Sequence, residues 1–180
     1  MEIDTGRLKI IPFSEEIIQA AMERDRERLT ALGIVADEEW PEPDLVEALP
    51  HFQRLIRDHG DTGFNGWLML EKRSREIVGS LGFMGEPDEN GSVEIGFGIV
   101  PGKRSQGYCE EAARALMGWA EGRPGVRWIT ARCGEDNEKS IGLLRKLGFS
   151  EIGREDALIE WKRGNPQGCA KAFQQEYGVS

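Results

Sequence analysis

The chain has 180 residues and a formal net charge of -9, with 39% hydrophobic and 31% charged residues, the composition of one ordinary globular domain rather than a disordered, fibrous or membrane chain. The acidity disfavours nucleic-acid binding, which relies on a basic face to neutralise phosphates. No run approaches the roughly 20 apolar residues of a membrane helix, and the N-terminal MEIDTGRLKI lacks the apolar stretch of a secretory signal, so the cytoplasm is the expected location.

In chain order, RLKIIPF (7–13) is a β-branched strand segment, and Ser14 caps a helix whose first turn carries Glu15 and Glu16, suited to the positive end of the dipole. Ile17, Ile18, Ala21 and Met22 supply one face, with ERDRERL as its solvated continuation. DEEWPEPD (37–44) reads as an acidic, proline-broken loop, followed from about Leu45 by a second helical region that Pro50 is expected to split and Gly60 and Gly63 to end. GWLMLEK, EIVGSLGFMG and SVEIGFGIV, separated by RSR and EPDENG, have the turn chemistry of an antiparallel meander. A helix through Ala112, Leu116 and Trp119, the strand VRWITARC, the helix NEKSIGLLRKLGF with Gly148 at its end, and the strand ALIEWKR complete the pattern. The expected fold class is mixed α/β with a largely antiparallel sheet. Cys109, Cys133 and Cys169 are three, widely spaced, without zinc-ligand spacing, and are read as free thiols; no metal is expected.

The segment PGKRSQGYCEEAARAL (101–116) holds two cations and two glycines just ahead of a helix. A Walker A loop is excluded because Gly98 to Gly102 is one residue short and Arg104 stands where the magnesium-binding hydroxyl belongs. A dinucleotide fingerprint in GFGIVPG fails because Gly96 and Gly98 lie inside a strand pattern and the helix begins late. What remains is R-x-x-G-x-[small] from Arg104 to Cys109: Gly107 admits close backbone approach, and the free N–H groups of the helix start face an anion along the dipole. Taken alone, the loop also reads as a strand-to-helix turn with solvated Lys103 and Arg104.

These residues resemble the signature Q/R-x-x-G-x-G/A of the GNAT N-acetyltransferases, and RLKIIPFSEE, EIVGSLGFMG, VEIGFGIVPGKRSQGY and NEKSIGLLRKLGF resemble the RimJ/RimL branch in order along the chain. Cys109 departs from the usual Gly or Ala. The resemblance implies a single acetyltransferase domain with a core over about 7–162 and a tail over 163–180, and a GNAT-like sheet with splayed middle strands. It implies acetyl-CoA as co-substrate, with its pyrophosphate held by Lys103, Arg104, Ser105, Gln106, Gly107, Tyr108 and Cys109, and its pantetheine by the main chain of Ile99 and Val100. Glycine within a strand, as at Gly96 and Gly98, marks either close approach of a ligand or a bulge that twists the sheet.

The resemblance further implies direct transfer in a ternary complex to a primary amine, with Glu94 as general base. The alternative for Glu94 is an exposed strand acid that orients substrate. The tyrosine acid common in the family is replaced by Leu144, which leaves Ser140 of N-x-x-S as the group expected to meet the departing thiolate, or else as a helix serine bonded to the preceding turn. Asn137 is a helix N-cap and, by resemblance, a cofactor contact. Trp40 is a candidate for the acceptor pocket or for packing; Trp67, His51 and His59 read as structural.

An α-amine with a pKa near 8 costs about 1.4 kcal/mol to neutralise at pH 7 and a lysine near 10.4 about 4.6, so the expected acceptor is a peptide N-terminus or another weakly basic amine, drawn by the acidic 37–44 loop. The expected assembly is a monomer or homodimer. The rival reading is a non-catalytic acyl-CoA-binding module.

Overall fold

The computed structural model describes residues 1–166. The 163–180 tail and Cys169 therefore lie largely outside the described residues. Among the described residues eight strands, β1 (Ile3–Asp4), β2 (Leu8–Pro12), β3 (Gly66–Glu71), β4 (Ile77–Phe83), β5 (Ser92–Ile99), β6 (Trp128–Gly134), β7 (Ser150–Glu155) and β8 (Leu158–Gly164), follow one another in the sheet order β1-β2-β3-β4-β5-β6-β8-β7. The pairs β1–β2, β2–β3, β3–β4, β6–β8 and β8–β7 are antiparallel, and β5 and β6 are parallel. The helices are α1 (Glu15–Glu23), α2 (Arg26–Ala31), α3 (Pro43–His59), α4 (Tyr108–Glu121) and α5 (Glu138–Lys146). The β5–β6 register covers three pairs, from Ser92↔Trp128 to Glu94↔Thr130, although β5 continues to Ile99 and β6 to Gly134.

The chain forms two compact units, Met1–Gly85 with Gly96–Ala115, and Glu86–Ile95 with the residues from Leu116 onward. In the first, β3 and β4 carry Leu68, Leu70 and Ile77 into a core shared with Phe13, Ile17, Ile18, Leu29, Trp40, Leu45, Leu49 and Phe52. The apolar positions of α1 and α3 recur every three or four residues, which gives each helix one buried stripe. Glycine at 66 is required because a Cβ there would run into the Phe13 ring and stand 2.9 Å from Phe52. In the second unit β6 pairs with β8, and β8 with β7, around buried Ile129, Ala131, Ile159 and Trp161. The Trp161 indole N–H donates to Cys133 Sγ at 3.2 Å, which gives that buried cysteine a structural contact.

Four elements differ from the sequence expectation. The α1 helix stops at Glu23, where Arg24 takes a left-handed conformation at φ 53°, and Asp25 accepts from the Arg28 N–H to start α2 as a separate helix. Pro50 does not split α3. It removes the bond to the Val46 carbonyl, on an exposed side of the helix where water can replace it, while Leu45, Leu49 and Phe52 hold the buried stripe together. Two strands went unforeseen: β1, only two residues long, and β7, whose sole large apolar residue, Ile152, is 56% exposed.

Candidate functional site

The loop between β5 and α4 belongs wholly to the first unit. Val100 is buried, and its N–H donates to the Val78 carbonyl at 3.0 Å, fixing where the loop leaves the sheet. Pro101–Lys103 make one 3₁₀ turn, Ser105 and Gly107 adopt left-handed conformations at φ 60° and 79°, and α4 begins at Tyr108. Arg104, Ser105, Gln106 and Gly107 are exposed, and Tyr108 and Cys109 half-buried. The Lys103 ammonium lies 2.6 Å from Glu76; their hydrogen bond holds the Glu76 carboxyl below its ordinary range and raises the lysine. Arg104 Nε donates to the Ile99 carbonyl at 3.2 Å, and Gln106 Nε2 to the Gly102 carbonyl at 3.5 Å.

A clamp that the sequence reading missed steadies this loop. Arg7 lies over the Tyr108 ring at 4.3 Å, donates from Nε to Glu111 at 2.7 Å and from Nη1 to the Gln106 carbonyl at 2.9 Å. Glu111 also accepts from the Arg7 backbone N–H and from the Thr5 hydroxyl. Burial pushes the Glu111 carboxyl up, but these bonds outweigh it and hold the group below its usual range. About a hundred residues separate the partners in sequence, so no local spacing announces the clamp.

The loop fits an anion. It offers an exposed left-handed glycine whose missing Cβ would meet nothing nearer than Arg7 Nη2 at 3.4 Å, the open first turn of a 14-residue helix, and the charges of Lys103 and Arg104. A pyrophosphate has the charge and the acceptor oxygens for that setting. Cys109 lies in the same first turn, where burial pushes its thiol up to about 12 and so disfavours the thiolate that a nucleophile needs.

The last residues of β5 meet a second feature. A side chain added at Gly96 would stand 3.1 Å from Met84 Cε, and one added at Gly98 would stand 3.6 Å from Glu42 Oε1. Glu42 occupies the N-cap position of α3 yet makes no capping hydrogen bond. Both of its carboxylate oxygens are closed off from solvent and have no hydrogen-bond partner. Burial raises its carboxyl above the ordinary range; its own backbone amide and Arg104 pull it down less strongly, while Asp37 and Asp44 add to the rise. A buried charged acceptor left unpaired costs about 1–3 kcal/mol or more, so the fold carries Glu42 at a loss. Trp40, two residues earlier, is 3% exposed within the core and its indole N–H has no partner. The ring borders a small hollow lined by Arg24, Arg26, Leu29, Ala36, Glu38 and Pro41.

In the second unit, Glu94 forms a two-pronged ion pair with Arg132 of β6, at 3.0 Å and 3.3 Å. Asn137 caps α5, its side chain accepting from the Ser140 N–H at 3.1 Å. The Ser140 side chain is half-buried, and among the described residues its hydroxyl makes no hydrogen bond, to the preceding turn or elsewhere. Leu144, where the family tyrosine would stand, is fully buried. Trp67 is also fully buried, its indole N–H donating to the Gly63 carbonyl at 2.8 Å, and the half-buried His51 ring lies 2.9 Å from the Met84 carbonyl. Among the described residues no cluster of His, Cys, Asp or Glu is arranged to hold a metal ion, and no helix is long and apolar enough to cross a membrane.

Residues 7–150 match the family model for the acetyltransferase (GNAT) domain. The N-acetyltransferase YjdG of Bacillus subtilis (strain 168) is 43% identical over 148 residues, covering 82% of this chain and 88% of its own length. An N-acetyltransferase 9-like protein of Nematostella vectensis is 34% identical over 143 residues, covering 68% and 72%. Among solved structures, RimL, a ribosomal L7/L12 α-N-protein acetyltransferase in complex with coenzyme A, superposes with a TM-score of 0.69 at 19% identity over 93% of this chain and 99% of its own, which makes the fold the same.

Proposed function

Since the chain belongs to the GNAT acetyltransferase family and is an acetyl-CoA-dependent N-acetyltransferase, we propose that it moves the acetyl group directly to a primary amine, an α-amine or another weakly basic one, without an acyl-enzyme. The observation that carries this reading is the exposed loop ahead of α4, with Gly107 in a left-handed turn and the Cys109 thiol held protonated beside it. Bound acetyl-CoA supplies a thioester carbonyl for the amine to attack.

The chain's own residues do the rest. Lys103, Arg104 and the backbone from Ser105 to Cys109 hold the pyrophosphate, with Arg7 and Glu111 keeping the loop in shape. Ile99 offers main chain to the pantetheine; the Val100 N–H is already spent on Val78. Ser140, whose hydroxyl is uncommitted, donates to sulfur as charge develops there, and Asn137 sets its position by capping α5. Glu94, held by one hydrogen bond from Arg132 to each of its carboxylate oxygens, takes the orienting role of a partly exposed strand acid in this reading. The acidic 37–44 segment attracts a cationic acceptor at long range.

Calorimetry with acetyl-CoA, followed by thiol release against N-terminal peptides, lysine side-chain peptides, polyamines and aminoglycosides scored by acetylated mass, tests the reading. Binding and turnover with a preference for α-amines is expected. Binding without turnover on any amine would make the chain a CoA-binding module, and a preference for lysine side chains at neutral pH would defeat the acceptor assignment.

A further inference from the structure

The buried, unpartnered carboxylate at the start of α3 has no structural occupation. Glu42 caps nothing, pairs with nothing, and yet both oxygens are withdrawn from water. It is aimed at one of the few places where β5 has no side chain: Oε1 stands 3.6 Å from where a Cβ of Gly98 would be, one residue before Ile99 and six before Arg104. Bare backbone at Gly98 leaves that stretch of strand approachable, and the carboxylate faces it. The charged groups acting on it are Arg104 from the loop, Asp37 from the preceding segment and Asp44 from the first turn of α3, together with its own amide.

Resting on the acetyltransfer reading above, we propose that Glu42 is the acceptor-side base: it seats the ammonium form of the amine and takes its proton. The ammonium gives one proton to the Glu42 carboxylate, which becomes a carboxylic acid; the nitrogen lone pair so freed forms the new C–N bond as the C–S bond breaks. The second proton lost from nitrogen ends on the sulfur as the thiol of CoA, and the Glu42 proton returns to water. Desolvation makes Glu42 a better proton acceptor than an exposed carboxylate. An unsatisfied buried acceptor also gains more from an incoming N–H donor than one already solvated.

The test compares wild type with Glu42→Gln and Glu42→Asp in three measurements: acetyl-CoA affinity by calorimetry, equilibrium binding of a glycine-led tripeptide in the presence of CoA, and acetylation of that peptide and of the best acceptor of the panel from pH 6.5 to 10. Glu42→Gln is expected to keep acetyl-CoA affinity within about twofold, weaken peptide binding at pH 7 by about tenfold, and lower kcat/KM at pH 7 by about 100-fold or more. The loss should shrink toward pH 10, where solution already supplies the neutral amine, and Glu42→Asp should fall between. Unchanged turnover at pH 7, an equal loss at every pH, or a fall in acetyl-CoA affinity parallel to turnover overturns the proposal. A wild type that binds acetyl-CoA but acetylates no amine overturns the transfer reading and this one together; an active wild type with an indifferent Glu42→Gln overturns this one alone.

Discussion

Glu42, at the start of α3, and Glu94, in the first half of β5, are the same side chain in two electrical settings. Glu94 is partly exposed and shares its charge with Arg132 through two hydrogen bonds. Glu42 is closed off from water with nothing to share it with. The first arrangement is self-contained, since the pair needs no ligand to be satisfied. The second is incomplete, and an incomplete buried charge is what a site for a cation looks like before its ligand arrives. Strain of this kind, kept where stability alone would remove it, is the usual mark of selection for function over stability.

The largest expected effect comes from moving the wall that Glu42 faces. A Cβ at Gly79 would run into the Gly98 carbonyl oxygen and stand 2.9 Å from Ile99 Cα, both backbone atoms that cannot swing aside. Gly79→Ala is therefore expected to destabilise the chain by about 3 kcal/mol, the upper end of overpacking costs, and to abolish any pH-dependent difference between wild type and Glu42→Gln. Thermal melts and a pH–rate profile in the Gly79→Ala background check both.

Next in size is a contrast of sign. Because burial raises the Glu42 carboxyl, the folded chain binds a proton over a range of pH in which the unfolded chain has lost it. Stability attributable to this group therefore falls as pH rises from the ordinary carboxylate range through the raised value. Glutamine has no charge to desolvate. Glu42→Gln should accordingly raise the midpoint of thermal unfolding at pH 8, by an amount equivalent to about 1–3 kcal/mol, and the gain should shrink as pH is lowered through the raised value and vanish in the ordinary carboxylate range. A stability loss at pH 8 would show that Glu42 is paired in solution.

A smaller effect separates the cofactor loop from the acceptor side. Gly107→Ala places a Cβ on a left-handed residue, at about 1–2 kcal/mol, and only 3.4 Å from the Arg7 guanidinium that steadies the loop. Acetyl-CoA affinity should drop several-fold while the pH dependence of turnover keeps its shape. A shifted pH profile would tie the loop to proton transfer and blur the distinction drawn here.

How far the sequence reaches depends on whether a feature is local. Ser14 and Asn137 as caps, Gly148 as the end of α5 and Gly107 as the hinge of the loop are legible because each is a residue type answering a demand of its own few neighbours. The end of α1 is not, since a left-handed Arg24 carries no glycine to announce it, and β7 is not, because an exposed strand needs no alternating pattern. The Arg7–Glu111 clamp and the burial of Glu42 against Gly98 join segments far apart in the chain. In the sequence Glu42 is one more acid in DEEWPEPD; only the fold withdraws its carboxylate from water and leaves the other four acids of the segment exposed.

The smallest expected effect is at Glu94. Glu94→Gln removes a carboxylate whose side chain is 34% exposed, paired with an arginine 54% exposed, and pairs at such exposure contribute about 0–1 kcal/mol. The variant should be destabilised by no more than that, opposite in sign to Glu42→Gln, and the deficit should fade in high salt as screening replaces the lost partner. Its turnover should stay within about threefold of wild type from pH 6 to 9, far less than a general base contributes. Removal of Arg132 supplies the converse. Arg132→Met leaves Glu94 without its pair, and if Glu94 were the base then losing the cation that favours its charged form would slow transfer most at low pH. An unchanged low-pH limb leaves Glu94 an orienting group, whereas a large loss in Glu94→Gln, steepest at pH 7, would exchange the roles of the two acids.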